Sequence, residues 1–263
     1  MSARASASLR AVSRALRSSA TALAFAGALV AAGAASAADA SQEHDPWEGF
    51  NRSIFAFNEW LDRNLLVPVA KGWDFVAPEP VQTGIDNVFR NSGMSVVLLN
   101  DLLQLKPVHA AEDVARVVVN TTVGVAGIFD VATKVGIPEN DEDFGQTLGY
   151  WGVPKGPYLV LPIFGPSNPR DTFGLLVDRA SEPWTYFVKI YVTVPVGVFE
   201  FVNLRAIYLE EIEDFHETAL DYYVFQRNAY VQSRDRGVAD EVEPAEETEE
   251  DLYYFDDEED VED

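Results

Sequence analysis

Asp45-Pro46-Trp47-Glu48-Gly49-Phe50-Asn51-Arg52-Ser53-Ile54-Phe55-Ala56-Phe57-Asn58-Glu59-Trp60-Leu61 is the stretch on which the fold class turns. Asp45 is placed to cap free N–H groups, Pro46 suits a first helical turn, and Glu48 stands where a capping-box carboxylate reaches back. Trp47, Phe50, Ile54, Phe57 and Leu61 then recur at spacings of 3 and 4, a narrow apolar stripe along a helix. Glu48–Arg52 and Glu59–Arg63 form i,i+4 pairs on the outer side. Phe55 and Trp60 fall off the stripe, so the helix carries more aromatic surface than one seam covers. The pattern predicts a helix to about Asn64, ended before Pro68.

Working outward, Pro78-Glu79-Pro80 opens a second helix through Val81, Ile85, Val88 and Phe89, closed at Asn91-Ser92-Gly93. A third is expected from Met94 to Leu105, and Pro107 starts a fourth. Val117 to Phe129 holds 13 residues without a charge. As a helix it would extend about 20 Å, against about 30 Å for a hydrocarbon core. It reads as a buried core helix or as one entering a bilayer part way, with the core reading favoured. Residues 136–170 contain six Gly and six Pro, too many for a helix or central strand. A long loop is expected there, ordered against something apolar by Phe144, Tyr150, Trp151, Tyr158 and Phe164. Helical pattern resumes near Asp171, passes through a strand-or-helix stretch from Trp184 to Val198, and closes in helices Phe199–Phe215 and Thr218–Arg234. The expected class is mostly α.

Toward the N-terminus, Arg4, Arg10, Arg14 and Arg17 precede an apolar run from Ala20 to Ala32, followed by the small residues Ala35-Ser36-Ala37. A basic head, a short apolar middle and a small-residue exit predict a cleavable secretory signal over 1–37. The contiguous apolar block fits secretion better than a mitochondrial transit peptide. A helical domain is expected over 38–236 and a disordered acidic tail over 237–263. Residues 240–263 hold 15 acidic side chains and no basic one, too charged for a core. Tyr253, Tyr254 and Phe255 in that tail read as a docking motif or, more simply, as part of a solvated segment.

The full chain carries a formal charge of −24, and −28 without residues 1–37. That balance excludes a nucleic-acid partner, whose phosphates require a basic footprint. There is no cysteine, which removes thiolate chemistry, cysteine zinc sites and thioether lipid anchors. The three histidines, His44, His109 and His216, show no ligand spacing. A serine-nucleophile elbow is absent. The glycines from Gly145 to Gly156 are not followed by the Lys-Ser/Thr of a phosphate loop. Asn140-Asp141-Glu142-Asp143 lacks the calcium-loop register. Neither an enzyme, a cofactor nor a metal site is expected. An excess of aromatic and aliphatic surface on short amphipathic helices points instead to a hydrophobic ligand or to partial membrane insertion.

Asp45-Pro46-Trp47-Glu48…Asn51-Arg52…Phe55-Ala56-Phe57-Asn58 resembles the D-P-x-E-x-x-N-R-x-x-F-x-F-N opening of the MlaA (VacJ) family. Phe144-Gly145-Gln146-Thr147-Leu148-Gly149-Tyr150-Trp151-Gly152-Val153, with Gly156-Pro157-Tyr158-Leu159-Val160-Leu161-Pro162 and Gly165-Pro166-Ser167…Arg170-Asp171, is similar to that family's second signature. Pro107 and Asn120-Thr121-Thr122-Val123-Gly124 match a third run. The resemblance implies a ring-like helical domain of interrupted amphipathic helices lying in the outer membrane, with an amphipathic channel for phospholipid. It implies removal of misplaced phospholipid from the outer leaflet, transfer to a periplasmic lipid-carrier protein, and association with an outer-membrane porin trimer. A soluble periplasmic lipid-binding protein is the alternative, and an envelope lipid hydrolase a distant third. Under the family reading the lipid-channel candidates are Phe144, Gly145, Gly149, Trp151, Gly152, Gly156 and Tyr158. The ring-packing candidates are Phe50, Asn51, Arg52, Phe55, Phe57 and Asn58. Localisation is expected at the periplasmic side of the outer membrane without a lipidated cysteine. The tail is expected either to repel lipopolysaccharide phosphates or to recruit a basic carrier.

Overall fold

A computed structural model describes residues 45–240. The expected signal segment 1–37 and the tail beyond Asp240 lie outside the described residues. Helix α1 (Glu48–Leu61) runs through a π-helical segment, Asp62–Leu66, into α2 (Val67–Val76). The expected stop before Pro68 is therefore not made. Pro68 sits in the first turn of α2, where its missing N–H is tolerated, and the π segment absorbs the change of register. Asp45 does not cap α1, whose N-cap is Trp47 without a side-chain bond. The carboxylate is drawn inside instead, where it accepts hydrogen bonds from the Asn51 amide (2.8 Å) and the Tyr223 hydroxyl.

The second and third expected helices are one, α3 (Glu79–Leu103). Asn91-Ser92-Gly93 does not end it, because Ser92 bonds back to the Phe89 carbonyl and α4 (Pro107–Thr122) packs along its length. The uncharged run from Val117 is not a single buried helix. It leaves α4 after Thr122 and turns through Val125 (φ 55°), Ala126 (φ 58°) and Gly127 (φ 91°). Gly127 N–H bonds to the Asn120 carbonyl and Phe129 N–H to that of Gly124, each at 2.9 Å. Val118, Val123, Val125 and Phe129 are exposed. A β-branched residue in the left-handed region is strained, and these closing bonds hold it there.

Residues 136–170 are more regular than their composition predicts. Asp143 caps α6 (Phe144–Tyr150) through the Gln146 N–H at 2.8 Å; the short α5 (Val131–Lys134) precedes it. Strands β1 (Leu159–Leu161) and β2 (Gly165–Ser167) pair antiparallel, Val160 opposite Pro166. Pro166 does not interrupt the pair, since edge positions tolerate the missing donor. Asn168 caps α7 (Pro169–Ser181) through the Asp171 N–H. The strand-or-helix stretch is helical: α8 (Trp184–Phe187) and α9 (Ile190–Ile207), with Pro195 inside the latter. Helices α10 (Leu209–Thr218) and α11 (Tyr222–Ala239) complete the chain, so α11 passes the expected boundary at Gly237. Tyr158, Val160, Tyr223 and Tyr230 form a small apolar core against which Ile54, Phe55, Val224 and Val231 pack.

Candidate functional site

The interior of this protein is polar to an unusual degree. Asn51, wholly buried on α1, donates to Asp45 and to the Tyr158 carbonyl (3.0 Å) and accepts from the Val160 N–H (3.0 Å). Asn58, two turns on, clasps the same hairpin through the Leu161 carbonyl and the Ile163 N–H. Arg227 on α11 faces Asp45 at 3.5 Å. One layer further, Arg234 on α11 binds Asp171 (2.8 Å) and Asp143 (2.5 Å), with the Tyr230 hydroxyl on Asp171 (2.6 Å). Burial raises the Asp171 carboxyl, but Arg234, Tyr230 and Arg170 outweigh it and hold it at about 2.

A second polar seam joins α3 and α4. Arg90 pairs with Glu139, and Arg116 reaches Asp130 (3.3 Å) and Glu139 (3.8 Å). Asn120 donates to Asp130 and accepts from the Ala132 N–H. With Asn87, Asn91 and Met94 these side chains line a narrow cleft. Between α2, α3 and α9 the contacts are again polar. The Trp73 indole donates to Asn203 at 2.9 Å, Asn203 to the Gln82 carbonyl, and Gln82 to Asp74 and the Ala77 carbonyl. Arg205 on α9 holds Asp62 of the π segment at 2.9 Å.

The apolar side chains stand on the outside. On α1 the stripe Trp47, Phe50 and Phe57 is exposed with Trp60, whereas Asn51, Ile54, Phe55 and Asn58 turn inward. Phe75 at the end of α2 is 91% exposed, Leu105 in the α3–α4 turn 84% and Phe187 at the end of α8 86%. From Trp184 to Phe199 the chain offers Tyr186, Ile190, Tyr191, Val194, Val196 and Val198 to the surroundings, with Lys189 the one charged residue. Helix α9 is long and apolar enough to cross a membrane by length and composition. It enters the packed interior only at Val202–Ala206. In water this distribution would expose far more large apolar surface than soluble proteins tolerate. In hydrocarbon it is the stable one, since polar groups there must find partners inside.

A family model described as MlaA lipoprotein matches residues 43–237. The chain belongs to that family. It is 35% identical over 198 residues to the intermembrane phospholipid transport system lipoprotein MlaA of Haemophilus influenzae, covering 73% of this chain and 78% of the relative. The protein of the same name from Escherichia coli is 32% identical over 223 residues, covering 82% and 86%. An uncharacterized protein of Rickettsia felis is 36% identical over 196 residues, covering 74% and 78%. A solved structure described as the structural basis for maintenance of bacterial outer membrane lipid asymmetry aligns with TM-score 0.65 at 32% identity, covering 74% of this chain and 98% of that one. The Haemophilus influenzae and Escherichia coli relatives are called lipoproteins, whereas the present sequence contains no cysteine.

Within the MlaA fold the two sequence signatures meet. Asn51 and Asn58 of the first hold the backbone of the hairpin that lies within the second. Arg52 pairs with Asp221 (2.7 Å) and lies over the Tyr223 ring, and Phe55 packs edge-on against Tyr223. Phe50 and Phe57 do not join this packing and face outward, whereas Ile54 of the same stripe turns in with Asn51, Phe55 and Asn58 against the hairpin and α11. The second signature is divided in the same way. Gly145 is buried where a Cβ would meet Asp171 Oδ1 at 2.6 Å, and one on Gly149 would meet Arg170 Nη1 at 2.6 Å and Val238. Tyr158 is buried between Tyr223 and Tyr230. Phe144 turns its ring toward Trp151 and Phe173, and Trp151, Gly152 and Gly156 are exposed. The roles that sequence reasoning missed are those of the charges paired in the interior: Asp45, Arg227, Arg90 and Arg116, which are buried, and Asp171 and Arg234, which are half-buried. The signal was present: Gln82, Asp86 and Arg90 on α3, and Asp113, Arg116 and Asn120 on α4, recur at helical spacing.

Proposed function

We propose that this chain is a phospholipid-transport component seated in the outer membrane, without covalent chemistry of its own. It takes misplaced phospholipid from the outer leaflet and delivers it toward a periplasmic carrier, beside a porin trimer. The observation that carries this reading is the inversion of polarity. Exposed aromatic and aliphatic side chains on α1, α2, α8 and α9 suit acyl chains, and the hydrogen-bonded interior offers headgroups a polar path. The names of the relatives from Haemophilus influenzae and Escherichia coli support it. A soluble periplasmic lipid-binding protein would enclose its apolar side chains around the lipid, so the exposed belt favours membrane residence. A ring with a central amphipathic channel is part of the proposal. The exposed Trp151 and Phe173, with the half-buried Phe144 between them and with Gly152 and Gly156, are its lipid-contacting wall; Gly145, Gly149 and Tyr158 support that wall from within.

The test is made in the source bacterium. The protein should sediment with outer membrane, and its deletion should raise outer-leaflet phospholipid detected by a membrane-impermeant amine reagent. A Trp151→Asp variant should stay in the membrane and fail to restore asymmetry. Recovery in the soluble periplasm with bound lipid would overturn membrane residence, and full complementation by Trp151→Asp would remove the proposed wall. Bulky residues at Gly149 do not make the same test, because they would collide with Arg170 and Val238 whatever the channel does.

A further inference from the structure

The turn between α3 and α4 brings together chemistry that the lipid pathway does not use. Leu105 adopts φ 60°, and the reversal places Asp101, in the last turn of α3, beside His109, in the first turn of α4. His109 Nδ1 lies 3.8 Å from Asp101 Oδ1. Glu142, in the segment before α6, completes the group: one donor atom each from Asp101, His109 and Glu142 lie within 4.8 Å of one another. Asp113, one turn beyond His109 on α4, lies within hydrogen-bonding reach of Asp101.

Asp101 is fully buried, and with Asp101 and Asp113 both ionised neither oxygen of Asp101 has a hydrogen-bond donor, nor do the buried Nδ1 of His109 and Oδ2 of Asp113 find a partner. Leaving such groups empty-handed is strongly unfavourable. The neighbours that could have supplied donors are committed elsewhere. Gln104 and Lys106 bind the two oxygens of Glu142 at 2.6 and 2.7 Å. The Asn140 amide goes to Asp113 Oδ1 (3.0 Å), the His109 carbonyl (3.1 Å) and Glu112 (3.4 Å). Four carboxylates, Asp101, Asp113, Glu142 and Asp240, surround the single ammonium of Lys106, which binds both Glu142 and Asp240, so the cluster carries an excess of formal negative charge.

We infer that Asp101, His109 and Glu142, with Asp113 beside them, form a site for one divalent cation of the zinc or manganese type. An imidazole nitrogen among carboxylates selects such ions over calcium or magnesium, which take oxygen alone. Ligands of a tetrahedral ion with bonds of about 2.1 Å stand about 3.4 Å apart, so the three atoms, within 4.8 Å of one another, close the set by drawing together through side-chain rotation. The ion would offset that excess and satisfy the orphaned oxygens and Nδ1 together. It would also tie the α3–α4 turn to the residue two places before α6, fixing the second signature against the helical pair. This inference does not depend on the lipid reading.

The experiment uses the full chain in detergent, stripped with EDTA and titrated with zinc(II) and, separately, manganese(II) while binding heat and thermal midpoint are followed. One saturable equivalent and a raised midpoint are expected for at least one ion. Asp101→Asn and His109→Gln should each weaken binding by about tenfold or more while keeping the helical circular dichroism. Weak binding by the acidic tail would be the same in all three proteins. If neither ion binds saturably or shifts the wild-type midpoint, or if both variants bind as wild type does, the site is refuted. In that event an Asp101→Asn variant more stable than wild type near pH 7 would assign the pair Asp101–Asp113 to a shared proton.

Discussion

At the scale of single residues, stability rests on polar groups that have one correct set of partners. Asn51 satisfies Asp45, the Tyr158 carbonyl and the Val160 N–H at once. Asn51→Leu keeps the volume and strands all three, so a loss of about 3 kcal/mol is expected, read as a lowered thermal midpoint in detergent. Titration gives a second test. Burial, followed by the negative charge of Asp143, pushes the Asp178 carboxyl up to about 7 against the opposing Phe144 N–H and Asn100 bonds. Its native pKa lies above the unfolded value, so its contribution to stability is complete below about pH 4. That contribution is lost as pH rises through 7. Asp171, held at about 2, works in the other direction: its contribution is present above about pH 4 and lost as pH falls through 2. The thermal midpoint should therefore be higher at pH 5 than at pH 8. Asp178→Asn should flatten that decline, and Asp171→Asn should weaken the protein at pH 5.

At the scale of elements, two glycines of similar appearance in the sequence have opposite meanings. A Cβ on Gly174 of α7 would lie 2.8 Å from the Gly145 Cα, and against its amide nitrogen as well, where α7 crosses α6. Gly174→Ala must push two backbones apart and should destabilise by 2 kcal/mol or more, on the order of an overpacked core. Gly93, in the middle of α3, has nothing near a Cβ. Gly93→Ala should stabilise by about 0.5–1 kcal/mol through helix propensity. Denaturation of the two variants side by side checks both signs. The same contrast explains why the pattern predicts two helices where α3 is one: packing on α4 overrides a local stop signal, and a linear pattern does not contain that packing.

At the scale of the whole molecule, the apolar exterior should govern where the protein resides. Phe75 on α2 and Phe187 on α8 make no structural demand on the interior and are almost fully exposed. Phe75→Glu combined with Phe187→Glu should leave the thermal midpoint in detergent nearly unchanged. Release from membranes under a carbonate wash should increase several-fold, because each buried charge is expensive in hydrocarbon. Unchanged retention would show that the outer aromatic belt does not hold the protein at its bilayer.

The sequence by itself determined the helical class, the aromatic excess and the two signatures that mark the family, because periodicity and short motifs are local properties. It also held the polar stripes of α3 and α4. Only the tertiary structure decided which side of each helix is inside. A stripe fixes two faces but not their assignment, and the usual assignment, apolar inward, assumes water outside. Here Asn51, Arg90, Arg116 and Arg234 find their partners more than forty residues away or across separate elements. Those distant bonds make the polar face the inner one. The same long-range closure sets His109 beside Asp101 and Glu142, a grouping that no spacing along the chain displays.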